Sequence, residues 1–400
     1  MANFNNLFFA LLRFSLGIDR NFTFRPTADE WTLLYEQACR LSLAGVMYEG
    51  VSQLPEDYFE PASSGETDSQ AYMPQQLATQ WAYDAEMIAG LNDLQNRKAA
   101  QLTARFEQRG RHTVILKGQA NALLYPNPLS RQPGDIDIYV DGGRERVGAM
   151  LNSLGMGEDA EDNMTHHFRI PPDENGIEVE VHYMPGSGNL NVTTNRRLQA
   201  YLMQLLANGA GMCDAGFRVP SSAFALTMQL AHIIRHAVQD GVGLRQVIDY
   251  YLLLRSSTGD DRHQLAGRLK ELGLHRDVAA ALMWVLAETL HLPEEQMITP
   301  PDRRRGKWLL DHMLGGANFE WYTMPRYGAW QRFATGRRKA LGLIWFCPKE
   351  AHRMVRQEMQ YLWTLFVKIP QRIKYRKLSL NELQLEKNEN KRRIHAAPDR

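Results

Sequence analysis

Cysteine is scarce in this chain: Cys39, Cys213 and Cys347 stand far apart in 400 residues and leave an odd one over. No C-x-x-C occurs, so neither a zinc knuckle nor a disulfide framework is signalled, and a reducing compartment fits best. A surplus of charge is missing too. The 46 basic residues are matched by 45 acidic ones, and a net charge of +1 argues against a surface that binds nucleic acid throughout, although local patches remain open. No apolar window reaches the roughly 20 residues of a membrane span. The opening MANFNNLFFALLRFSLGIDR lacks a basic leader, is interrupted by Arg13 and precedes no small-residue cleavage site. It reads as an amphipathic helix with Leu7, Leu11, Leu12 and Phe14 near one face, and a cytoplasmic protein without a transmembrane segment is expected.

What is present points to a globular chain too long for one comfortable core, so two or three packed units are expected. TADEWTLLYEQACRLSLAGVMYEGV repeats apolar residues at helical spacing behind an N-cap at Thr27. Prolines, serines and acids over 54–75 mark a surface loop. A long helix follows and is closed by Gly110. The texture then changes. TVILKG, DIDIYV and GIEVEVHYM are short and partly alternating, as strands are, and GRERVGAMLNSLGM between the last two reads as a helix. The boundaries follow: helices over 1–105, an α/β unit over 106–186, a helical bundle over 187–295, and a helical extension with a frayed basic tail over 296–400. An aromatic, glycine-containing stretch near NFEWYTMPRYGAW interrupts that extension.

Two sites work against simple packing. In a strand, residues two apart share a face, so Asp135 and Asp137 lie together while Ile136, Ile138 and Val140 face the core. Two aspartates about 7 Å apart at the backbone can converge at their tips. IEVEVHY repeats the pattern, with Glu178, Glu180 and His182 on one face. If the two strands are neighbours, Glu180 joins the aspartates, and three hard oxygen ligands suit magnesium. The plain alternative is the solvated outer face of an edge-exposed antiparallel sheet. Lys117 and Gly118 end the first strand and precede a helical QANALLY, so free backbone N–H groups and a point charge can meet a phosphate there. A glycine-relieved turn with a solvated lysine is the alternative. Arg131 can contact a triphosphate through its guanidinium fork, or simply be solvated.

These motifs, Leu116-Lys117-Gly118, Arg131, Asp135-Ile136-Asp137 and Glu180-Val181-His182, resemble those of the bacterial family of uncharacterised nucleotidyltransferases, within the DNA polymerase β-like superfamily. DEWTLLYEQACRLSLAG and LAHIIRHAVQDGVGLRQVIDYYLLL fit the same likeness, which spans about 5–255. It implies an α+β fold: a small mixed-sheet nucleotidyltransferase core embedded between N-terminal helices and a C-terminal helical bundle. It further implies Mg2+-dependent transfer of a nucleoside monophosphate from an NTP to a hydroxyl, with two Mg2+ ions expected and Mn2+ an alternative. Asp135, Asp137 and Glu180 would then be catalytic residues and metal ligands, and Lys117, Gly118, Gln119 and Arg131 would line the nucleotide. Gln119 departs from the superfamily's Gly-Ser turn, which removes a hydroxyl contact.

His232 and His236, four apart on a helix, can share a face, but Ile233 stands where the zinc-protease pattern H-E-x-x-H needs glutamate. They are read, with Arg245, as a polar wall over the cleft, and an Arg245–Asp249 ion pair is the plainer expectation for that arginine. His182 tunes Glu180, approaches the acceptor, or faces solvent. MQYLWTLFVKIPQRIKYRKL, with Lys368, Arg372, Lys374, Arg376 and Lys377, is read as a terminal helix with a solvated basic side, and as a membrane, RNA or acidic-partner surface otherwise. A small molecule or sugar is the favoured acceptor, nucleic acid being possible but not favoured. The alternatives are transfer to a macromolecule (tRNA or protein) and a non-catalytic binding or assembly protein. Sequence leaves the oligomeric state open.

Overall fold

The computed structural model describes residues 2–59, 71–157, 166–186, 188, 191–239, 241–315 and 345–348. Residues 1–324 form one compact unit and 325–400 a second. The aromatic stretch at 318–330, the basic segment 359–378, the polar tail and the middle of the 54–75 loop lie outside the described residues. Among the described residues, no helix is long and apolar enough to cross a membrane.

Helices α1 (Ala2–Ser15), α2 (Ala28–Arg40) and α3 (Ala44–Val51) lead into the 33-residue α4 (Gln75–Glu107). The sheet segment runs β1 (Thr113–Ile115), α5 (Gln119–Ala122), β2 (Ile136–Val140), α6 (Gly143–Ser153), β3 (His167–Ile170) and β4 (Val179–His182). Then come α7 (Val192–Asn208), a hairpin of β5 (Ala210–Met212) and β6 (Arg218–Pro220), and α8 (Ser222–Gln239). Helices α9 (Leu244–Ser256), α10 (Gly259–Arg268), α11 (Arg276–Leu290) and α12 (Arg303–Leu314) complete the unit. The architecture is α+β, with a small mixed sheet between helical regions.

Local signals explain the element ends. Thr27 caps α2, and Glu30 closes a reciprocal capping box, an arrangement typically contributing about 1 kcal/mol. Gly110 takes the left-handed φ of +70° just beyond α4. In α1, Leu7, Leu11 and Leu12 are buried, but so are Phe8 and Phe9, so the helix is covered on more than one face. Arg13 answers its own position: it pairs with Asp19 at 2.7 Å and donates to the Thr289 carbonyl of α11.

The four-stranded sheet has the order β1-β2-β4-β3, with β2 and β4 parallel and the outer pairings antiparallel. Ile136, Ile138, Val140, Val179 and Val181 pack with Leu102 and Phe106 of α4 and Val147 and Leu151 of α6. Burying each such side chain stabilises by about 1.5–3 kcal/mol, so a one-residue slip that turned this face outward is ruled out energetically. The same register fixes the opposite face, where Asp137 lies beside Glu180 and Tyr139 beside His182.

The structure corrects three expectations. The helix after Gly118 is only four residues long, and strand β3 and the β5–β6 hairpin were not predicted. HFRI is short and becomes a strand only by pairing with β4. The acid-bearing strands are central, not edge-exposed, which removes the solvated-face alternative.

One polar clamp holds the loop entering β2. Arg131 donates through Nε and Nη2 to the two oxygens of Asp249 on α9, both at 2.8 Å, and Tyr125 donates to the same carboxylate at 2.8 Å. Burial would raise the Asp249 carboxyl, but Arg131 holds it below its ordinary value. From the other side, Asn92 of α4 donates to the carbonyls of Leu129 and Arg131, and Gln95 to that of Gly134. Removing one partner of a buried pair leaves an uncompensated charge. Asp249→Ala should therefore destabilise the fold by about 3–5 kcal/mol, whereas Asp57→Ala, breaking the exposed Arg25–Asp57 pair, should change it by less than about 1 kcal/mol. Urea midpoints of the two variants check this, and equal small effects would contradict it.

Candidate functional site

The polar face of the sheet floors a cleft of about 790 Å³. Asp135 precedes β2, Asp137 is on it, and Glu180 and His182 are on β4. Lys117 reaches in from the end of β1, where the Leu116 N–H still donates to the Asp137 carbonyl and extends the ladder. Its ammonium lies 2.8 Å from Oδ2 of Asp137 and 3.8 Å from Oδ1 of Asp135. The contact with Asp137 has ion-pair distance without hydrogen-bond alignment. Nε2 of His182 lies 3.0 Å from Oδ1 of Asp137 and 3.2 Å from Oε2 of Glu180. Gly118 adopts φ +63° and ψ −107°, a conformation that glycine alone takes without strain, and this lets the chain leave β1 with Lys117 over the acids.

The electrostatics follow from burial and pairing. Burial would lower both cations, yet Asp135 and Asp137 outweigh it and raise Lys117, while hydrogen bonds to Asp137 and Glu180 push His182 up to about 9. Burial would raise Glu180, but the His182 hydrogen bond leaves it below its ordinary value. His166 and His167 go the other way: burial, with His182 and His167 adding repulsion, lowers His166 to about 3, and burial also lowers His167. Opposite the acids, α8 and α9 wall the cleft with His232, Arg235, His236 and Arg245. The rings of His232 and His236 meet edge to face, with centroids 4.3 Å apart, and burial holds His232 well below its ordinary value.

Sequence-predicted residues divide into two groups. Lys117, Asp135, Asp137, Glu180, His182, His232, His236 and Arg245 all line the cleft. Arg131 does not: its fork is taken by Asp249, so it is no free cation for a triphosphate. Gln119 is buried and donates to Oδ1 of Asn92 at 3.0 Å, which turns its side chain into the core. Gly118 sets the turn, but its four-residue helix presents little dipole. The expected Arg245–Asp249 pair gives way to Arg131–Asp249, and Arg245 instead donates to the carbonyls of Gln132 and Pro133 at 2.7 and 3.1 Å. Sequence reasoning missed His166, His167 and Arg235 in the lining. The only available signals were the adjacent histidines that open HHFRI and an arginine one residue before His236.

Asp137 on β2 with Asp135 just before it, a glutamate in register on β4, and the histidines and arginines of α8 and α9 thus line one cleft. The family model described as uncharacterised nucleotidyltransferase matches residues 27–290, and the chain belongs to that family. No curated protein matches it. Among solved structures, an antigenic nucleotidyltransferase-like protein from Paracoccidioides brasiliensis is similar at 13% identity, covering 49% of this chain and 92% of that one, with a TM-score of 0.28.

The raised His182 predicts a pH dependence of stability in cation-free protein. The unfolded imidazole titrates near 6.5 and the folded one near 9. Its contribution is thus fully present below pH 6.5 and lost as pH rises to 9, on the order of 3 kcal/mol. His166 acts in the other window, because the unfolded chain takes up a proton that the folded one refuses between pH 6.5 and 3. Denaturation midpoints should fall from pH 6.5 to 9, and His182→Gln should flatten that limb; an unchanged slope in the variant would contradict the assignment.

Proposed function

We propose that the chain transfers a nucleoside monophosphate from an NTP to a hydroxyl of a small molecule or sugar, with Mg2+ as cofactor (two ions, Mn2+ able to substitute). The observation that carries this reading is the parallel register that sets Asp137 beside Glu180, with Asp135 next to them, on the floor of the cleft. The donor set fits the metal: three carboxylates offer hard oxygens, and the site already concentrates the cations Lys117 and His182 around them. When bound, such ions activate the attacking hydroxyl and stabilise the leaving oxygen.

The chain's own groups supply the rest. Asp135, Asp137 and Glu180 hold the cations. Lys117, Arg235 and Arg245 offer positive charge to the phosphate oxygens. The acceptor oxygen bonds to the α-phosphorus, the bond to the β-bridging oxygen breaks, and pyrophosphate leaves. The hydroxyl proton passes to Glu180, which the His182 hydrogen bond keeps ionised. A cleft of about 790 Å³ is of the size that small-ligand sites occupy, which favours a compact acceptor. A cytoplasmic setting belongs to the same proposal, supported by three free cysteines.

Incubation with each α-labelled NTP, Mg2+ and cell extract tests the reading. Label should enter a small metabolite, EDTA should stop it, and Asp137→Asn should lower it at least about a hundredfold. Label in RNA or protein instead would move the acceptor to a macromolecule, and no Asp137-dependent transfer with any NTP would favour a binding or assembly protein. Lys117→Met should raise the KM for NTP about tenfold, equivalent to about 1.4 kcal/mol; an unchanged KM would remove Lys117 from the phosphate site.

A further inference from the structure

We infer that His166, His167 and His182 form a second cation site, suited to a borderline divalent transition ion of the zinc class and chemically distinct from the adjoining carboxylates. One ring nitrogen from each lies within 4.8 Å of one from each of the others. The ring centroids are 4.4, 5.0 and 5.5 Å apart. All three residues are more than nine-tenths buried, at 8%, 3% and 4% exposure. Even so, among the described residues Nδ1 of His166, both ring nitrogens of His167 and Nδ1 of His182 have no hydrogen-bond partner. Nδ1 of His167 comes within 3.3 Å of Oε2 of Glu180 but is misaligned for a bond.

Buried polar nitrogens are normally satisfied, and simple ring packing would leave this group dry. The backbone holds them together: His167 and His182 are register partners, and the His166 carbonyl accepts from the Tyr183 and Met184 N–H groups. Nitrogen donors select zinc-class ions over Mg2+. Tetrahedral Zn–N bonds place ligand nitrogens about 3.3 Å apart, so modest ring rotation closes the set.

His182 has the double engagement of a metal-ligating histidine: Nε2 faces Asp137 and Glu180, and Nδ1 is left to ligate, its proton passing to solvent as the ion binds. Because all three histidines line the cleft, a fourth coordination position opens onto it and can take water. None of this depends on the chain transferring nucleotides.

The test uses full-length protein stripped with EDTA and given one equivalent of Zn2+. X-ray absorption of the wild type should show three imidazoles around zinc; one imidazole in an oxygen-rich shell, or no zinc retained at micromolar concentration, would overturn the proposal. In parallel, Co2+ titration followed by visible absorption should show at least tenfold weaker binding in His167→Gln and less than twofold change in Asp135→Asn. Undiminished binding in His167→Gln, or loss in Asp135→Asn alone, would also overturn it. The wild-type measurement decides the matter even if the histidine variant does not fold.

Discussion

The buried contact between Arg131 and Asp249 ties the sheet to the helical bundle, and the site depends on that tie. Arg131 closes the loop that delivers Asp135 to the start of β2, and Asp249 belongs to α9, which also carries Arg245 into the cleft. Asn92 and Gln95 grip the same loop from α4. The Asp135 end of the acidic floor and the Arg245 end of the wall are therefore held by one polar joint. A buried pair with both carboxylate oxygens and the guanidinium fork satisfied is the geometry in which such a joint is stable.

Above that joint, hydrophobic alternation aligns charges that would otherwise repel. Two like charges 4 Å apart interact by about 4 kcal/mol at an effective dielectric near 20, so three acids cannot be gathered without compensation. The isoleucines and valines of β2 and β4 fix the register, and Lys117 and His182 supply the opposing charge. The fold thus tolerates its own acidic centre, with Asp137 and Glu180 converging on His182.

The alternating strands were legible because period-two patterning sorts side chains by face, which put Asp135 with Asp137 and Glu180 with His182; that the two pairs share one side follows only from the β2–β4 pairing. The turn at Lys117–Gly118 was legible from its residue types, and the spacing of His232 and His236 from helical periodicity. Arg131 was not, because its partner lies 118 residues away and nothing local distinguishes a clamped arginine from one facing a phosphate. Nor were the roles of His166 and His167, since a four-residue strand shows no periodicity and gains its identity only from β4. Arg235 sits in an apolar helix whose cleft-facing side is defined by tertiary packing.

Gln119 shows how one departure from a pattern redistributes work. A serine in the turn after Gly118 would offer a hydroxyl to phosphate; the glutamine instead reaches inward to Asn92, which also holds the Leu129 and Arg131 carbonyls. The turn has become part of the scaffold that fixes the loop before β2. With Arg131 committed to the same scaffold, positive charge in the cleft comes from Lys117, His182 and the α8–α9 wall. In the proposed reaction the triphosphate therefore meets side-chain cations above the acids, not a glycine-turn cradle beneath them.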